Sequence, residues 1–250
     1  MKTVLITGAT SGIGKATAYE LAKNKFRLII CGRREERLIE IEKELSSLTN
    51  VTSLSFDVRD KKAVNDCISS LPEDFQQIDI LINNAGNAHG LDSVDTGSLE
   101  DWDAMMDINV KGLLYVSKAV IPQMTSRSNG HIINIGSSAG KEVYPKGAVY
   151  CASKHAVVAL TTGMRMDLNQ YGIKVTAINP GLVETEFSKV RYKGGKQADN
   201  VYKGYKALQA EDVAEIIAFA ISRPDHVNIA DLLVFPAAQA SSTIVKKELN

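Results

Sequence analysis

The stretch TGATSGIG (residues 7–14) lies between an apolar run, TVLIT (3–7), and a helix-forming segment that begins KATAYELAK. Glycine permits a sharp turn and a close approach of the backbone to another group, which suits Gly8, Gly12 and Gly14 to a ligand-binding turn. The next helix begins with free N–H groups and a positive dipole end, where a pyrophosphate fits. The spacing Gly-x-x-x-Gly-x-Gly differs from the commoner Gly-x-Gly-x-x-Gly, and a tight loop without a ligand is the alternative. The order strand, turn, helix favours dinucleotide binding.

Short apolar runs alternate with longer helix-like segments along the rest of the chain. This alternation predicts βαβ units, and continuously apolar strands indicate a parallel sheet with helices on both faces. We therefore expect a single α/β domain over residues 1–250, a Rossmann-like doubly wound parallel sheet of about seven strands. The predicted strands are 3–7, 26–31, 51–56, 78–83, 131–136, 173–178 and 231–235. The predicted helices are 13–24, 34–48, 60–71, 101–126, 148–171 and 211–222.

The composition excludes several classes of protein. The chain has 250 residues, 44% hydrophobic and 23% charged, with zero formal net charge and no long basic run, so we expect neither nucleic acid nor a membrane as partner. The apolar run before Gly8 is too short for a signal peptide, and no run approaches the ~20 residues of a membrane span. Cys31, Cys67 and Cys151 are far apart and form no Cys-x-x-Cys, which predicts no metal site and a reducing, cytoplasmic location.

The second predicted strand is followed by two arginines, Arg33 and Arg34. An NAD-binding fold usually places an acidic residue there for the ribose hydroxyls. A guanidinium group instead binds a phosphate through two hydrogen bonds, which favours the 2′-phosphate of NADP. Arg33 is favoured because it is nearer to the strand end. The alternative is that both arginines only begin a solvated helix, with Glu35 and Glu36 near its positive end.

The pattern Tyr-x-x-x-Lys, which places two side chains on one helix face, occurs four times in the chain. The four pairs are Tyr19/Lys23, Tyr150/Lys154, Tyr192/Lys196 and Tyr202/Lys206. The spacing alone therefore identifies no acid–base pair. Tyr150 differs from the other three because it begins a predicted helix shortly after Ser137, which follows a predicted buried strand. Both side chains are then expected at the carboxyl edge of the sheet, where α/β folds bind ligands.

Five further motifs follow the glycine turn: NNAG (83–86), INVKG (108–112), NIGSSAG (134–140), YCASK (150–154) and NPGLVETE (179–186). In order and spacing, the set resembles the short-chain dehydrogenase/reductase family over nearly the whole chain. The resemblance implies oxidation of an alcohol or reduction of a carbonyl with a nicotinamide coenzyme, and assembly into a homotetramer. It also implies a catalytic set of Asn109, Ser137, Tyr150 and Lys154.

These residue types suit the chemistry of alcohol oxidation. A phenol titrates near ~10, and a neighbouring cation favours its phenolate form. We expect Tyr150 to accept the proton of the hydroxyl group, Lys154 to lower the Tyr150 pKa, and Ser137 to donate a hydrogen bond to the substrate oxygen. By the resemblance, Lys154 also holds the nicotinamide ribose, and Asn109 positions a water for proton relay. Ser138 is an alternative to Ser137 on the sequence alone.

The resemblance also assigns coenzyme contacts beyond the glycine turn and the arginines. Asp57 matches an aspartate beside the adenine, although a helix N-cap or a turn residue is its alternative role. Thr185 matches the residue that meets the nicotinamide carboxamide. The remaining implied contacts are Thr10, Ser11, Ile13, Val58, Asn83, Ala85, Gly86, Pro180, Gly181 and Val183.

A polar, glycine-containing stretch, VRYKGGKQADN (190–200), predicts a substrate flap near residues 186–208. Residues 181–194 and 225–236 resemble the NADP-dependent 3-hydroxy acid dehydrogenases that act on serine and L-allo-threonine. Arg191 is a candidate clamp for the substrate carboxylate, with a solvated surface charge as the alternative. We therefore expect oxidation of small 3-hydroxy acids with NADP. The alternatives are a general carbonyl or 3-oxoacyl reductase, and a protein that senses NADP without turnover.

Overall fold

The computed structural model describes residues 1–248. The strands are β1 (Thr3–Thr7), β2 (Arg27–Gly32), β3 (Val51–Ser55), β4 (Ile80–Asn83), β5 (His131–Ile135), β6 (Lys174–Pro180), β7 (Val183–Glu184), β8 (Leu208–Gln209) and β9 (Asp231–Val234). Seven of them form one parallel sheet in the order β3–β2–β1–β4–β5–β6–β9, and β7 pairs with β8 separately. The predicted doubly wound parallel sheet is confirmed. Its direction of winding reverses between β1 and β4, which is where such sheets bind ligands.

The helices are α1 (Gly12–Lys23), α2 (Glu35–Leu45), α3 (Lys61–Ser69), α4 (Leu99–Met106), α5 (Leu113–Arg127), α6 (Ala148–Leu168), α7 (Phe187–Arg191) and α8 (Ala210–Ile221). Side chains alternate between the two faces of a strand, so β1 contributes to two cores. Val4 and Ile6 pack in one core with residues of α1, α2 and α8. Leu5 packs in the other with residues of α3, α5 and α6. Burying each such side chain contributes roughly 1.5–3 kcal/mol.

The predicted helix 101–126 is confirmed as one uninterrupted helical stretch, but its winding changes in the middle. A π-helical turn, Asp107–Gly112, separates α4 from α5. Such turns insert an extra residue into a helix and occur frequently at functional sites, and this one contains Asn109. Apolar periodicity passes through the interruption without a break, so the sequence pattern does not reveal it.

The stretch predicted as a flap is folded. It contains α7 and a 3₁₀ turn at Ala198–Asn200, and it leads into β8. The phenol of Tyr202 donates to the carbonyl of Val183 at 2.7 Å, and the Thr185 hydroxyl accepts from the N–H of Phe187 at 3.2 Å. These contacts hold the start of α7 beside the carboxyl end of β6. Within residues 1–248, no helix combines the length and apolar character that a membrane crossing requires.

Candidate active site

The glycine turn leaves room for a ligand because its glycines have no side chains. Its backbone adopts conformations and close contacts that a residue with a Cβ would rarely tolerate. Gly8 and Gly12 have φ of 68° and 52°, a region that residues with a Cβ rarely adopt. A Cβ on Gly14 would lie 2.4 Å from the carbonyl oxygen of Gly8. The turn is therefore packed tightly against the start of α1, whose first N–H groups have no partner within the helix. This arrangement fits a pyrophosphate.

The two arginines after β2 lie beside this turn in different environments. The Arg34 guanidinium donates to the hydroxyl of Thr10 at 2.8 and 3.1 Å and to that of Ser11 at 2.7 Å. It also contacts the carboxylate of Glu186 at 3.1 Å. The Arg33 guanidinium contacts only the carboxylate of Asp57, at 3.5 Å, among the ion pairs of the described residues, and its side chain is 57% exposed. Arg33 thus has free N–H groups, whereas Arg34 is oriented by its neighbours.

Asp57 is held in place by a third arginine. Arg59 reaches the Asp57 carboxylate at 2.6 Å. Burial acts to raise the pKa of Asp57, but hydrogen bonds and positive charge from Arg59 outweigh it and lower the pKa below its usual value. Asp60, not Asp57, is the N-cap of α3, since its side chain accepts from the N–H groups of Lys62 and Ala63. Asp57 is therefore not a helix cap, but it is the turn residue that the same alternative allows, since its carboxylate accepts from the N–H of Arg59 at 3.0 Å and its carbonyl from the N–H of Asp60 at 3.0 Å.

One cavity of about 730 Å³ lies along the carboxyl ends of the strands. Ligand pockets in proteins are typically ~300–1,000 Å³. The cavity wall includes most of the residues that the sequence predicts for the site, from the glycine turn at one end to Arg191 at the other. These residues are Gly8, Thr10, Ser11, Gly12, Ile13, Arg33, Arg34, Asp57, Val58, Ala85, Gly86, Ser137, Tyr150, Lys154, Pro180, Gly181, Val183, Thr185 and Arg191.

Three predicted residues, Gly14, Asn83 and Asn109, lie behind this wall. Asn83, expected on the coenzyme floor, instead donates to Ser117 and Asn134 at 2.9 Å each in a buried network. The wall contains its neighbour Asn84, which donates to the carbonyl of Gly8 at 3.2 Å. Asn83 is the last residue of β4 and faces the interior, so the chain first reaches the sheet edge at Asn84.

The Asn109 side chain hydrogen-bonds to both the N–H and the carbonyl of Asn87. Its side-chain oxygen accepts from the Asn87 N–H at 2.8 Å, and its amide donates to the Asn87 carbonyl at 2.8 Å and to the Ser153 hydroxyl at 3.0 Å. The side chain is thus fully engaged and 2% exposed. In this structure Asn109 fixes the loop after β4, and Asn87, which the sequence reasoning missed, lines the cavity.

Ser137, Tyr150 and Lys154 meet at the middle of the cavity. Ser137 precedes a 3₁₀ turn, Ser138–Gly140, whose last residue packs on α6: a Cβ on Gly140 would lie 2.7 Å from the Lys154 carbonyl. Tyr150 lies in the first turn of α6, and the Lys154 ammonium donates to the carbonyl of Ile135 at 3.0 Å. The packing of the turn on the helix brings the serine and the tyrosine together.

The protonation states of this group are set mainly by burial. Burial, followed by the nearby Tyr144 phenol, raises the pKa of Tyr150 well above its usual value, and Ser137 and Arg191 oppose that shift. Burial lowers the pKa of Lys154 to about 8. The sequence predicts that Lys154 lowers the Tyr150 pKa, but in this structure the opposing groups are Ser137 and Arg191. The physical reason is that the ammonium is turned toward Ile135 and is itself desolvated.

The competing tyrosines have other partners. The Tyr19 phenol donates to Glu44 on the outside of the molecule, and that of Tyr202 donates to the backbone of Val183. Neither lies beside a serine at the end of a buried strand. The environment, rather than the Tyr-x-x-x-Lys spacing, singles out Tyr150.

Arg191 lies over Tyr150. Its guanidinium carbon is 5.5 Å from the ring centres of both Tyr150 and Tyr144, and one of its nitrogens, Nη1, donates to the Tyr144 hydroxyl at 3.0 Å. Its Nε donates to the carbonyl of Gly90 at 3.2 Å. The remaining nitrogen, Nη2, is buried and has no hydrogen-bond partner among residues 1–248. Tyr144 was missed in the sequence because it lies in an irregular connection between Ser137 and α6.

A turn near the carboxyl terminus forms a further part of the wall. The Gln239 side chain accepts from the N–H of Leu182 at 2.9 Å and donates to the carbonyl of Ser241 at 3.0 Å. This places Ser242 and Thr243 on the cavity. No periodicity or motif marks these residues in the sequence, so only the fold could reveal them.

A family model described as short chain dehydrogenase matches residues 2–195. The NADP-dependent 3-hydroxy acid dehydrogenase of Schizosaccharomyces pombe is 47% identical over 251 residues, 99% of this chain and 97% of that protein. The sulfoacetaldehyde reductase 2 of Chromohalobacter salexigens is 47% identical over 242 residues, 96% of each chain.

A solved structure described as the closed form of serine dehydrogenase complexed with NADP⁺ has a TM-score of 0.92 and 41% sequence identity. The match covers 99% of this chain and 100% of the other. The likeness therefore includes the glycine turn, the sheet edge and the α7 segment alike.

Proposed function

This chain belongs to the short-chain dehydrogenase family, and we propose that it is an NADP-dependent enzyme that oxidises the 3-hydroxyl group of small 3-hydroxy acids such as serine, L-allo-threonine and 3-hydroxybutyrate. The predicted family and class of enzyme, an oxidoreductase acting on a CH–OH group, are confirmed by the family match. The observation that carries the proposed substrate class is the position of Arg191. Its guanidinium lies 5.5 Å from the Tyr150 ring and keeps one buried N–H group unpartnered among the described residues.

The coenzyme is NADP. The glycine turn fits a pyrophosphate. Arg33, with its free N–H groups, and Arg34, which Thr10 and Ser11 orient, both line the cavity. Two guanidinium groups after β2, with no acidic residue in their place, match a ribose that carries a phosphate. The S. pombe relative is named as NADP-dependent, and the serine dehydrogenase structure contains NADP⁺.

Three side chains handle the proton of the substrate. When bound, NADP⁺ accepts the hydride from the carbon and brings a positive ring that favours phenolate. The Tyr150 oxygen takes the hydroxyl proton, and the Ser137 hydroxyl donates to the substrate oxygen and stabilises the charge that develops there. The Lys154 ammonium, which is charged below a pH of about 8, is turned toward the carbonyl of Ile135, so Ser137 and Arg191 are the groups that favour the Tyr150 phenolate against burial.

The carboxylate of a 3-hydroxy acid is two carbons away from the carbon that reacts. A substrate held by Tyr150 and Ser137 at its hydroxyl group therefore extends its carboxylate only a few ångströms, toward Arg191. A guanidinium binds a carboxylate with two parallel hydrogen bonds, which fixes the orientation of the substrate as well as its affinity. Because Arg191 is the last residue of α7, the flap and the anion site are the same element.

In a second candidate function, the same anion site binds a substrate for the reverse reaction, the reduction of a carbonyl group. A sulfonate has the geometry and charge that a guanidinium group binds, and one relative at 47% identity is named a sulfoacetaldehyde reductase. Reduction of a short aldehyde carrying a sulfonate would place the aldehyde oxygen at Tyr150 and Ser137. A general carbonyl or 3-oxoacyl reductase, which needs no anion site, and an NADP sensor without turnover are the remaining alternatives.

The test is a substrate panel with the wild-type enzyme and three variants. Wild type is expected to raise the absorbance at 340 nm with NADP⁺ and 3-hydroxy acids more efficiently than with neutral alcohols. Arg191→Gln should raise KM for the acids about 10- to 100-fold, the value of a hydrogen bond to a charged group, and leave neutral substrates within about twofold. Arg191→Lys should lie between, and Lys189→Gln, an exposed cation on α7, serves as the matched control.

Each alternative predicts a different outcome of this panel. Brisk reduction of neutral ketones with no turnover of any hydroxy acid would favour the general reductase. Preference for a sulfonate aldehyde over every carboxylic acid would favour the second candidate. Binding of NADP without turnover of any substrate would identify a sensor.

We also expect the chain to assemble as a homotetramer, as its family resemblance implies. Leu114 on α5, Met166 on α6, Phe219 on α8 and Leu233 on β9 are each exposed apolar side chains in the single chain. Light scattering after size-exclusion chromatography measures the mass directly. A mass near 27.1 kDa, that of one chain, would contradict the tetramer.

A further inference from the structure

Glu186 joins two parts of the molecule that are far apart in sequence. Its carboxylate contacts the Arg34 guanidinium at 3.1 Å and the Arg37 guanidinium at 3.1 and 3.2 Å. Arg34 follows β2 and Arg37 lies in α2, whereas Glu186 directly precedes α7. Hydrogen bonds and positive charge from both arginines lower the Glu186 pKa, against burial that would raise it, so the carboxylate is ionised at neutral pH.

The contact of Glu186 with the two arginines lies between the start of the flap and the glycine turn. A Cβ added to Gly12 would lie 3.3 Å from the side chain of Thr185, so the residue before Glu186 packs on the glycine turn. The same Arg34 guanidinium bonds to Thr10 and Ser11 of that turn. The start of α7 is therefore anchored to the coenzyme side of the cavity by packing and by charge.

The far end of α7 is anchored to the substrate side. The carbonyl of Arg191 accepts from the N–H of Gly90 at 2.9 Å, and Lys193, just beyond the helix, pairs with Asp101 of α4 at 2.9 Å. Five residues of helix rise ~7.5 Å, so Glu186 and Arg191 are the two ends of one short rigid element. A displacement at Glu186 therefore moves the guanidinium that lies over Tyr150.

We propose that Glu186 is a positioning residue: by bridging Arg34 and Arg37, it holds the flap helix in the place where Arg191 meets the anionic group of the substrate. This inference rests on the proposed function, because it concerns the same anion site. Arg37 gives the bridge a partner that is independent of the coenzyme. When the 2′-phosphate binds beside Arg34, the negative charge of Glu186 is still held by two contacts to Arg37.

The proposal predicts an unusual pattern of kinetic effects. Glu186→Gln should raise KM for the hydroxy acid about three- to tenfold, the range expected from two partly exposed ion pairs, and change kcat less than twofold. The same variant should bind NADP as tightly as wild type or more tightly, since one negative charge near the 2′-phosphate is removed. Arg37→Gln should raise KM for the acid less, because Glu186 keeps its contact with Arg34, and the double variant should be no worse than Glu186→Gln alone, because that variant has already lost the contact with Arg37.

Hydrogen exchange tests the positioning role without any substrate. Glu186→Gln should increase amide exchange in residues 187–193 about three- to tenfold and leave α8 unchanged. The matched control is Glu184→Gln, an exposed glutamate two positions earlier that bonds to Gln209 at 3.3 Å and lies off the cavity wall. It should change neither exchange in 187–193 nor KM for the acid.

The two readouts separate failure of this inference from failure of the proposed function. Unchanged exchange in residues 187–193, or NADP binding weakened as much as KM for the acid is raised, would overturn the positioning role. If wild type turns over no hydroxy acid, the proposed function fails. The exchange experiment then still decides whether Glu186 holds α7.

Discussion

Replacing Lys154 by methionine should make the protein more stable and inactive at the same time. Lys154 is 6% exposed, and no anionic side chain opposes the effect of burial on its pKa. Lowering this pKa from 10.5 to about 8 means that keeping the ammonium charged inside the fold costs about 3 kcal/mol at neutral pH. The substitution also removes the hydrogen bond to Ile135, which leaves a buried carbonyl unpaired at about 1–2 kcal/mol. We expect a net stabilisation of about 1–2 kcal/mol at pH 7.

The pH dependence identifies the cause. Between pH 8 and 10.5 the unfolded chain binds more protons at Lys154 than the folded chain does, so the stability of wild type rises with pH in this window. Below pH 8, wild type bears the full free-energy cost of burying the Lys154 ammonium, and above pH 10.5 this cost disappears. The advantage of Lys154→Met should therefore shrink by about 1 kcal/mol between pH 7 and pH 9.

Urea unfolding followed by circular dichroism at both pH values, at one fixed protein concentration, measures this difference. Lys118→Met, which replaces an exposed lysine on α5, is the control and should stay within about 0.5 kcal/mol of wild type. A Lys154→Met variant that unfolds at a lower urea concentration than wild type at pH 7 would refute the reasoning. So would an advantage that is the same at pH 9.

Three further substitutions test the glycine turn, the proposed proton acceptor Tyr150 and a buried histidine. Gly14→Ala places a Cβ 2.4 Å from the Gly8 carbonyl oxygen, so we expect the variant to be about 1–3 kcal/mol less stable than wild type. It should also bind NADP more weakly in calorimetry. A variant that equals wild type in both stability and NADP affinity would contradict the tight packing of Gly14 on Gly8. Tyr150→Phe should lower kcat by about 10²–10⁴ and leave NADP affinity intact, and turnover near wild type would mean that another group takes the proton. Burial lowers the His131 pKa from 6.5 to about 3, so the unfolded chain binds the extra proton first as pH falls, and wild type should lose about 2 kcal/mol between pH 7 and pH 5. His131→Gln should lose less over the same range, and equal losses in urea unfolding would show that His131 is not responsible.

The sequence determines the layout of the sheet because each strand and helix has its own local pattern. The run 3–7 has three consecutive apolar residues at its centre, Val4 to Ile6, and all five of its residues are buried between two layers of helices. The glycine turn is equally local, since positive φ at Gly8 and Gly12 is a property of the backbone at those positions. The pair of arginines after β2 predicts the type of coenzyme for the same reason, because the residue after a strand end has a fixed place at the sheet edge.

The tertiary structure decides which side chains of a motif face the cavity and which residues they contact. Adjacent residues of NNAG separate, with Asn83 in a buried network and Asn84 on the cavity wall. The contact of Arg191 with Tyr144 joins residues 47 positions apart, and that of Glu186 with Arg37 joins residues 149 apart. The charge state of Tyr150 and Lys154 likewise depends on burial by several elements at once. Such contacts follow from the packing of loops and helices against one another, for which a linear pattern of residues has no signal.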